Sequence, residues 1–514
     1  MAQVANIDSN SSGLSFAEEA SLKTLPGTPT WRQLEPNSYG DFGGTNTLIA
    51  RNPINAGRQR KKGVVVDLES MAEFETDLTY SRDELQELWS GAVCADFHEK
   101  GAETVTAVDI DAGNPDEYEV AATAGFLVNS LIIGRNFTNA ANNALNLVTA
   151  VTTNASVEVA TGQLVAEASP PSNAQILVVG HQGATADITV DVSGTFPAYK
   201  STSLDFTTLN LNPGEWIYVG GDATANKFAN AANNGFKRIR SIATQTLTVD
   251  KSDATMVTDA GTGKDIQIFF GRFLRNEQGS DIVKKTYQME RTLGAPDDAQ
   301  PTQIQSEYIT GAMVNEVEMT IAAADKVLVN WAMMGLDNEL RDGATGVKSG
   351  NRPALVSDDA FNTSSDFSRI RLAPVSATDE APTSQFVYVM EMTLNINNNI
   401  TANKAVSVLG GFGLTLGTFE VGATLNAYLS TIDALQSVKD NDSVTLDVAM
   451  VKANKGMVFD FPLGTLGDGR PDVEQDQSVM VPLEFQAAEA TAVSTDYDYS
   501  MSITFFDYLP SAAG

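Results

Sequence analysis

Residues suited to acid–base or nucleophilic chemistry are scarce in this sequence, which has two histidines, His98 and His181, and one cysteine, Cys94. General bases, nucleophiles and zinc ligands are drawn mostly from these types. No Gly-x-Ser-x-Gly elbow, phosphate-binding P-loop or paired-cysteine spacing appears, so the reading is not an enzyme, with no catalytic, metal or cofactor site. Two carboxylates suffice for glycoside hydrolysis, but nothing marks a particular pair. The loop from Asp468 to Asp476 puts oxygen ligands at alternate positions, as calcium loops do. It departs from the EF-hand pattern and lacks flanking helix signals, so it reads as a solvated acidic loop. Cys94 and His98 read as a buried thiol and a surface histidine. What remains is the chemistry of charge. Asp67, Glu69, Glu73, Glu75 and Asp77 share one side of a period-two pattern. Arg51, Arg58, Arg60, Lys61 and Lys62 form the one concentrated basic run.

These charges need elements to position them. Phe74, Thr76, Leu78 and Tyr80 alternate with Glu73, Glu75, Asp77 and Thr79, the signature of a half-buried strand with an acidic outer face. Val64, Val66 and Leu68 alternate with Val65, Asp67 and Glu69 and predict a strand pairing with the first across a short turn. Ser81 stands three residues before Glu84, the capping-box spacing, and Leu85, Leu88 and Trp89 form the apolar stripe of a helix. The pattern recurs near the C-terminus, with Phe419, Val421, Ala423 and Leu425 on a strand, Ser430 three residues before Asp433, and Ile432 and Leu435 as the stripe. We read this as a duplicated strand-helix unit. The basic run, which contains Pro53 and Gly57, reads as a long flexible loop or arm.

At 514 residues the chain is long enough for several cores, and a single cysteine excludes an intrachain disulfide. The polar N-terminus lacks the features of a secretory signal, and no apolar run approaches a membrane span, so a soluble protein is expected. A formal charge of −32, from 65 acidic and 33 basic side chains, repels nucleic acid and anionic membranes. From 101 to 270 the texture turns to Ala, Thr, Asn and Val. There FTNAANN at 137–143 returns as FANAANN at 228–234, which predicts two small β modules in tandem, the asparagines serving in turns. Residues 1–100 with 271–342 are expected to form one unit, 101–270 an insertion, 343–384 a linker and 385–514 a second unit.

Four segments then carry a resemblance: GLSFAEEASLKTLPGTPTWRQL, FETDLTYSRDELQEL, KKTYQMERT followed by ITGAMVNEVEMTI, and GTFEVGATLNAYL. In order and spacing they resemble the major tail tube proteins of long-tailed bacteriophages. The resemblance implies a mainly β fold, with two tandem β-sandwich or half-barrel units that each carry a flanking helix, plus the inserted β modules. It implies a structural virion protein whose units join edge to edge into rings, stacked as a conduit for genome ejection. Three two-unit chains would complete a ring of approximate six-fold symmetry. Asp67, Glu69, Glu73, Glu75 and Asp77 would face the lumen, where DNA passes without specific binding, and Arg51, Arg58, Arg60, Lys61 and Lys62 would reach an adjacent ring. Expected partners are the chain itself, other tail proteins at the tube ends and a tape-measure protein inside, with no membrane. The expected location is the virion, and the host cytoplasm before assembly. The inserted modules would hang outside as decoration, meeting host polysaccharide. The competing reading is another virion or cell-surface protein built from β modules, such as a capsid decoration or an adhesin. It accounts for the Asn-rich repeats but not for the duplicated strand-helix unit.

Overall fold

A computed structural model describes residues 7, 12–54, 57, 59–110, 115–295, 303–355, 358–386 and 388–513. Strands β1 (Gly13–Glu18), β2 (Arg32–Leu34), β3 (Pro36–Arg51) and β4 (Lys61–Asp77) lead into helix α1 (Leu85–Val93). The insertion contributes β5 (Ala102–Asp109), β6 (Asp116–Val120), β7 (Ser130–Arg135), β8 (Leu145–Thr152), β9 (Ser156–Val159) and β10 (Gln175–Gln182). It continues with β11 (Thr189–Asp191), β12 (Ala198–Lys200), β13 (Trp216–Val219), β14 (Gly235–Ala243), β15 (Thr246–Ser252) and β16 (Gln267–Phe269). There follow β17 (Arg272–Arg275), β18 (Tyr287–Gly294), β19 (Gln305–Ala322), β20 (Leu328–Gly335) and β21 (Asp337–Arg341). The last part holds β22 (Phe367–Pro374), β23 (Val389–Asn397), β24 (Thr401–Lys404), β25 (Gly411–Thr415), β26 (Glu420–Tyr428) and helix α2 (Asp433–Asp440). It closes with β27 (Val444–Lys452), β28 (Lys455–Asp468), β29 (Met480–Ala487) and β30 (Ser502–Phe506).

One strand order occurs twice. In the first half β1 pairs with β18, β18 with β19, β19 with β20, β20 with β4, and β4 with β3. In the second half β22 pairs with β27, β27 with β28, β28 with β29, β29 with β26, and β26 with β23. The helix follows the equivalent strand each time, β4 or β26. The chain is therefore mainly β, with two tandem units that each carry a flanking helix. β22 falls within the 343–384 stretch expected as a linker.

The register of the duplication differs from the sequence match of Phe74 with Phe419. The paired ends of the strands are Asp77 opposite Leu328 and Tyr428 opposite Met480. The same distance back from each end lie Phe74, opposite Trp331, and Leu425, opposite Leu483. Phe419 precedes β26. Strand patterns have period two, so an even shift keeps every apolar residue on the same face and cannot be detected by alternation. Two further expectations change. Val64–Leu68 and Glu73–Leu78 are not hairpin partners but parts of one strand, β4, laddered along its length with β3. Neither capping box forms. Ser81 Oγ meets Thr79 Oγ at 2.7 Å, Glu84 stands at the N-cap without a side-chain cap bond, and Ile432 is the N-cap of α2. The chain enters α1 through Gln86, whose buried amide donates to Tyr80 O at 2.6 Å.

The even-numbered side of residues 70–78 faces a core shared by both halves, with Phe74, Trp331, Val317, Leu394, Leu425, Leu483 and Phe485 inside it. α1 is buried almost throughout, and Trp89 lies 5.0 Å from Trp331 of the first half and 5.2 Å from Phe459 of the second. α2 buries only Ala434 and Ser437.

The insertion is itself a duplication. β5-β6-β9-β8-β7-β10 closes into a barrel through the β10–β5 ladder, and β11-β12-β15-β14-β13-β16 repeats the order. The asparagine runs act as turns, as expected. Asn143 both accepts from Phe137 N and donates to Phe137 O at 3.0 Å, and Asn234 does the same with Phe228 at 2.9 and 3.0 Å. Tyr118 and Tyr199 close the equivalent contacts on Asn142 O and Asn233 O. The two modules do not hang by their two connections. Leu177, Val179, Trp216, Phe236 and Phe269 pack on Ala449, Val451, Val458 and Phe506 of the second half. Above this contact lies a buried charge network. Arg238 bonds Asp250 at 2.9 Å and Asp460 at 3.2 Å, Lys251 lies 2.6 Å from Asp447, and Arg369 joins Asp447 to Asp253.

Candidate assembly surfaces

Alternation on β4 leaves Glu73, Glu75 and Asp77 half-exposed on the side away from the core. Strand pairing extends that side across both halves, in the order β4, β20, β19, β23, β26, β29. Glu316 and Glu318 on β19, Glu391 on β23, Glu420 on β26 and Glu484 on β29 are exposed in the same phase. Residues 69–77 and the other five strands contain no lysine or arginine. Amides sit among the acids: Asn330 donates to Glu73 at 3.2 Å, Asn397 to Glu316 at 3.0 Å and Gln486 to Glu484 at 3.2 Å. At the margin Lys326 pairs with Asp77 at 2.7 Å. The result is a broad, hydrated, acidic surface. Such a surface repels a polyanion and presents no cation to hold it.

Asp67 and Glu69 keep the same phase but lie towards the arm, where both pair with Lys404 at the end of β24, Glu69 at 3.5 Å. The hydrogen bond from Lys404 holds the Asp67 carboxyl below the usual carboxylate range. These two share one lysine, whereas Glu73 and Glu75 meet no cation among the described residues. The sequence could not single out Lys404, which comes from the other half of the chain.

Within the basic run Arg51 ends β3, Lys61 and Lys62 begin β4, and Arg60 lies between the two strands. Thr45–Arg51 and Lys61–Glu69 continue the β3–β4 ladder as a two-stranded arm, with Arg51 opposite Lys61. The β-branched run Val64–Val66 opposite Leu48 and Ile49 favours strand, and all five are exposed, at 44–64%. Arg51, Arg60, Lys61 and Lys62 are exposed near its tip, and Arg58 lies outside the described residues.

At the opposite end of β4 a cavity of about 360 Å³ opens between the start of α1 and residues 358–360, lined by Glu35, Asp77, Glu84, Asp358 and Asp359 among others. Burial, reinforced by neighbouring Asp83, pushes the Glu84 carboxyl up to about 7.

The remaining surface is formed by strand flanks. Within the chain, β23 of the second half pairs with residues 316–322 of β19 in the first. The equivalent flank of β28, at 465–468, pairs with β29 on one side and has no strand on the other among the described residues. The outer flank of β3 is likewise open among the described residues.

A family model described as phage tail tube protein matches residues 9–175 and 165–487. The chain belongs to the phage tail tube protein family. It is a non-enzymatic structural component of the tail tube, and its place is the phage tail, in the virion. No curated protein matches the chain. Tail tube proteins self-assemble into tubes.

Proposed function

We propose that three copies close into a ring of approximate six-fold symmetry. The rings stack into the tail tube, and the acidic face of β4, β20, β19, β23, β26 and β29 lines the bore through which DNA passes into the host. The units are residues 1–100 with 271–342, and the second half from β22 onward. The observation that carries this reading is the junction of β19 with β23. It joins the last flank of one unit to the first strand of the next, and the chain leaves the same two kinds of flank open at its ends, on β28 and β3. Open edges invite aggregation, and a head-to-tail contact that closes on itself removes them. With two units per chain, six units take three chains. The bore-facing carboxylates keep the phosphate backbone from adhering. A tape-measure protein inside the bore and other tail proteins at the tube ends complete the partners this reading carries.

Native mass spectrometry and electron microscopy of the purified protein test it. Rings of three chains are expected. Rings of six would keep the tube and overturn the two-unit count, and a monomer that persists at high concentration would overturn both. A second result is expected of the bore. Tubes carrying Glu73→Lys, Glu316→Lys and Glu318→Lys should retain DNA in a salt-dependent way, whereas wild-type tubes should not. Equal retention by both would remove the bore from this face.

A further inference from the structure

We propose that residues 468–474, an exposed acidic loop in the single chain, become a strand only against a second copy of this chain. They extend β28 and pair with residues 38–44 of that copy's β3, with Val473 opposite Tyr39. This rests on the ring closure proposed above and assigns its register.

Two observations carry it. The first is the place of the loop in the duplication. β29 returns along β28 as β20 returns along β19. Asp468 opposite Leu483 matches Val317 opposite Trp331, and Asp472 opposite Met480 matches Thr320 opposite Leu328. Backbone bonds anchor the match just beyond, from Leu78 N to Val327 O at 2.9 Å and from Leu429 N to Val479 O at 3.0 Å. Val473 therefore stands where Ile321 stands in the first half. Ile321 pairs with Met392 of β23 and is 5% exposed, whereas Val473 is 75% exposed and faces no strand among the described residues. The duplicated strand thus keeps an apolar residue at a core position whose cover its own chain does not supply.

The second is a matched irregularity. Within the chain, Val317–Ala322 meets Glu391–Ile396, six residues against six. Each open flank carries one residue more. Gly469, Arg470 and Pro471 stand beside Val481 and Pro482, where Glu318 and Met319 stand beside Val329 and Asn330. Gly40 and Asp41 share Glu73, where Thr393 alone faces Thr424. A ladder holds its register only if both edges keep step, and here both are lengthened by one at adjoining levels. Asp468–Glu474 can therefore meet Ser38–Gly44 residue for residue. Asp468 takes the core position of Val317 but falls opposite Gly44, which has no side chain to press on it. Arg470 and Asp41, neither in an ion pair among the described residues, come within one position of each other across the seam. In the single chain Asp468 and Gly469 have left-handed backbone, at φ 58° and 81°, and Pro471 offers no N–H. These features end β28 early and blunt an edge that would otherwise pair indiscriminately.

The test uses the full chain, in which Cys94 is buried and stays in place. Val473→Cys with Tyr39→Cys should form disulfides between copies on oxidation, roughly tenfold more than the off-register pair Val473→Cys with Ser38→Cys, whose side chains point to opposite faces. Amide exchange in 469–474 should slow by about tenfold or more when the chains assemble. Val473→Asp changes an exposed side chain, so its circular dichroism should match wild type while ring formation falls at least about tenfold. Val473→Ile should assemble as wild type does. Equal linking by the two cysteine pairs would overturn the proposal, as would unchanged exchange on assembly or undiminished ring formation by Val473→Asp, and each would leave the ring reading standing. Copies linked through 39 and 473 that run on as open filaments, or close at six chains, would sink the three-chain ring and leave this strand pairing standing.

Discussion

Replacing Asp447 by alanine is expected to lower the stability of the folded chain by about 3–5 kcal/mol, because it leaves buried cations without their counter-charge. Asp447 and Asp460 lie opposite each other on β27 and β28, fully buried. Two like charges at that separation persist only because Lys251, Arg369 and Arg238 reach them. Lys251 and Arg238 come from the second module of the insertion and Arg369 from β22, so both parts of the chain supply cations to the two carboxylates. Burial alone would raise the Asp447 proton affinity, but Arg369 and Lys251 outweigh it and hold the carboxyl below the usual range. The stabilisation is therefore present above the unfolded carboxylate pKa of about 4 and is lost as pH falls through the lower folded value. Urea titrations at pH 7 and pH 3.5 should show the Asp447→Ala deficit at the first and a smaller one at the second. Asp447→Leu combined with Lys251→Met should recover only part of the loss, since a well-packed apolar pair can replace a buried ion pair but Arg369 still loses Asp447. A deficit under 1 kcal/mol at pH 7 would contradict this account. For the same reason, excising 101–270 should yield an aggregating chain, with Asp447, Asp460 and the apolar face around Val451 and Val458 exposed together.

Trp89→Ala is expected to cost about 3–5 kcal/mol, in the range of large aromatic truncations in a packed core. Trp89 is fully buried, with edge contacts to Trp331 at 65° and Phe459 at 68°. These rings belong to different halves, so the side chain joins two units that also meet through the β19–β23 and β17–β30 ladders and a shared core. The expected signature goes beyond a lower midpoint. Loss of the bridge should reduce cooperativity, giving a shallower denaturant slope or two separate transitions. An unchanged slope with a loss below 1 kcal/mol would show that α1 does not couple the halves.

Some of this was legible from the residues alone. Alternation in 73–80 decides which side of β4 faces water, because successive side chains on a strand point oppositely whatever the strand pairs with. Composition decides the charge of that side, and recurrence of FxNAANN decides that the insertion is a tandem. The capping-box spacings at Ser81 and Ser430 misled: Ser81 Oγ pairs with Thr79 Oγ instead, and Asp433 N donates to Thr431 Oγ1.

By itself the sequence determined the acidic phase of β4, the mainly β character, the presence of two strand-helix units and the clustering of basic residues between Arg51 and Lys62. These depend on periods of two and near four and on local charge, which no distant partner can alter. Only the tertiary structure decided that Glu316, Glu318, Glu391, Glu420 and Glu484 extend the face begun by Glu73 and Glu75, since the order of strands in a sheet is set by packing between segments hundreds of residues apart. Only it decided that Lys404 pairs with Asp67 and Glu69, that Thr45–Arg51 and Lys61–Glu69 form a ladder, and that Glu84 is buried beside a cavity. The insertion shows the same division. Asp447 and Asp460 within apolar strands are visible in the sequence, but their counter-charges on β14 and β15 become their neighbours only when the barrel packs against the tube.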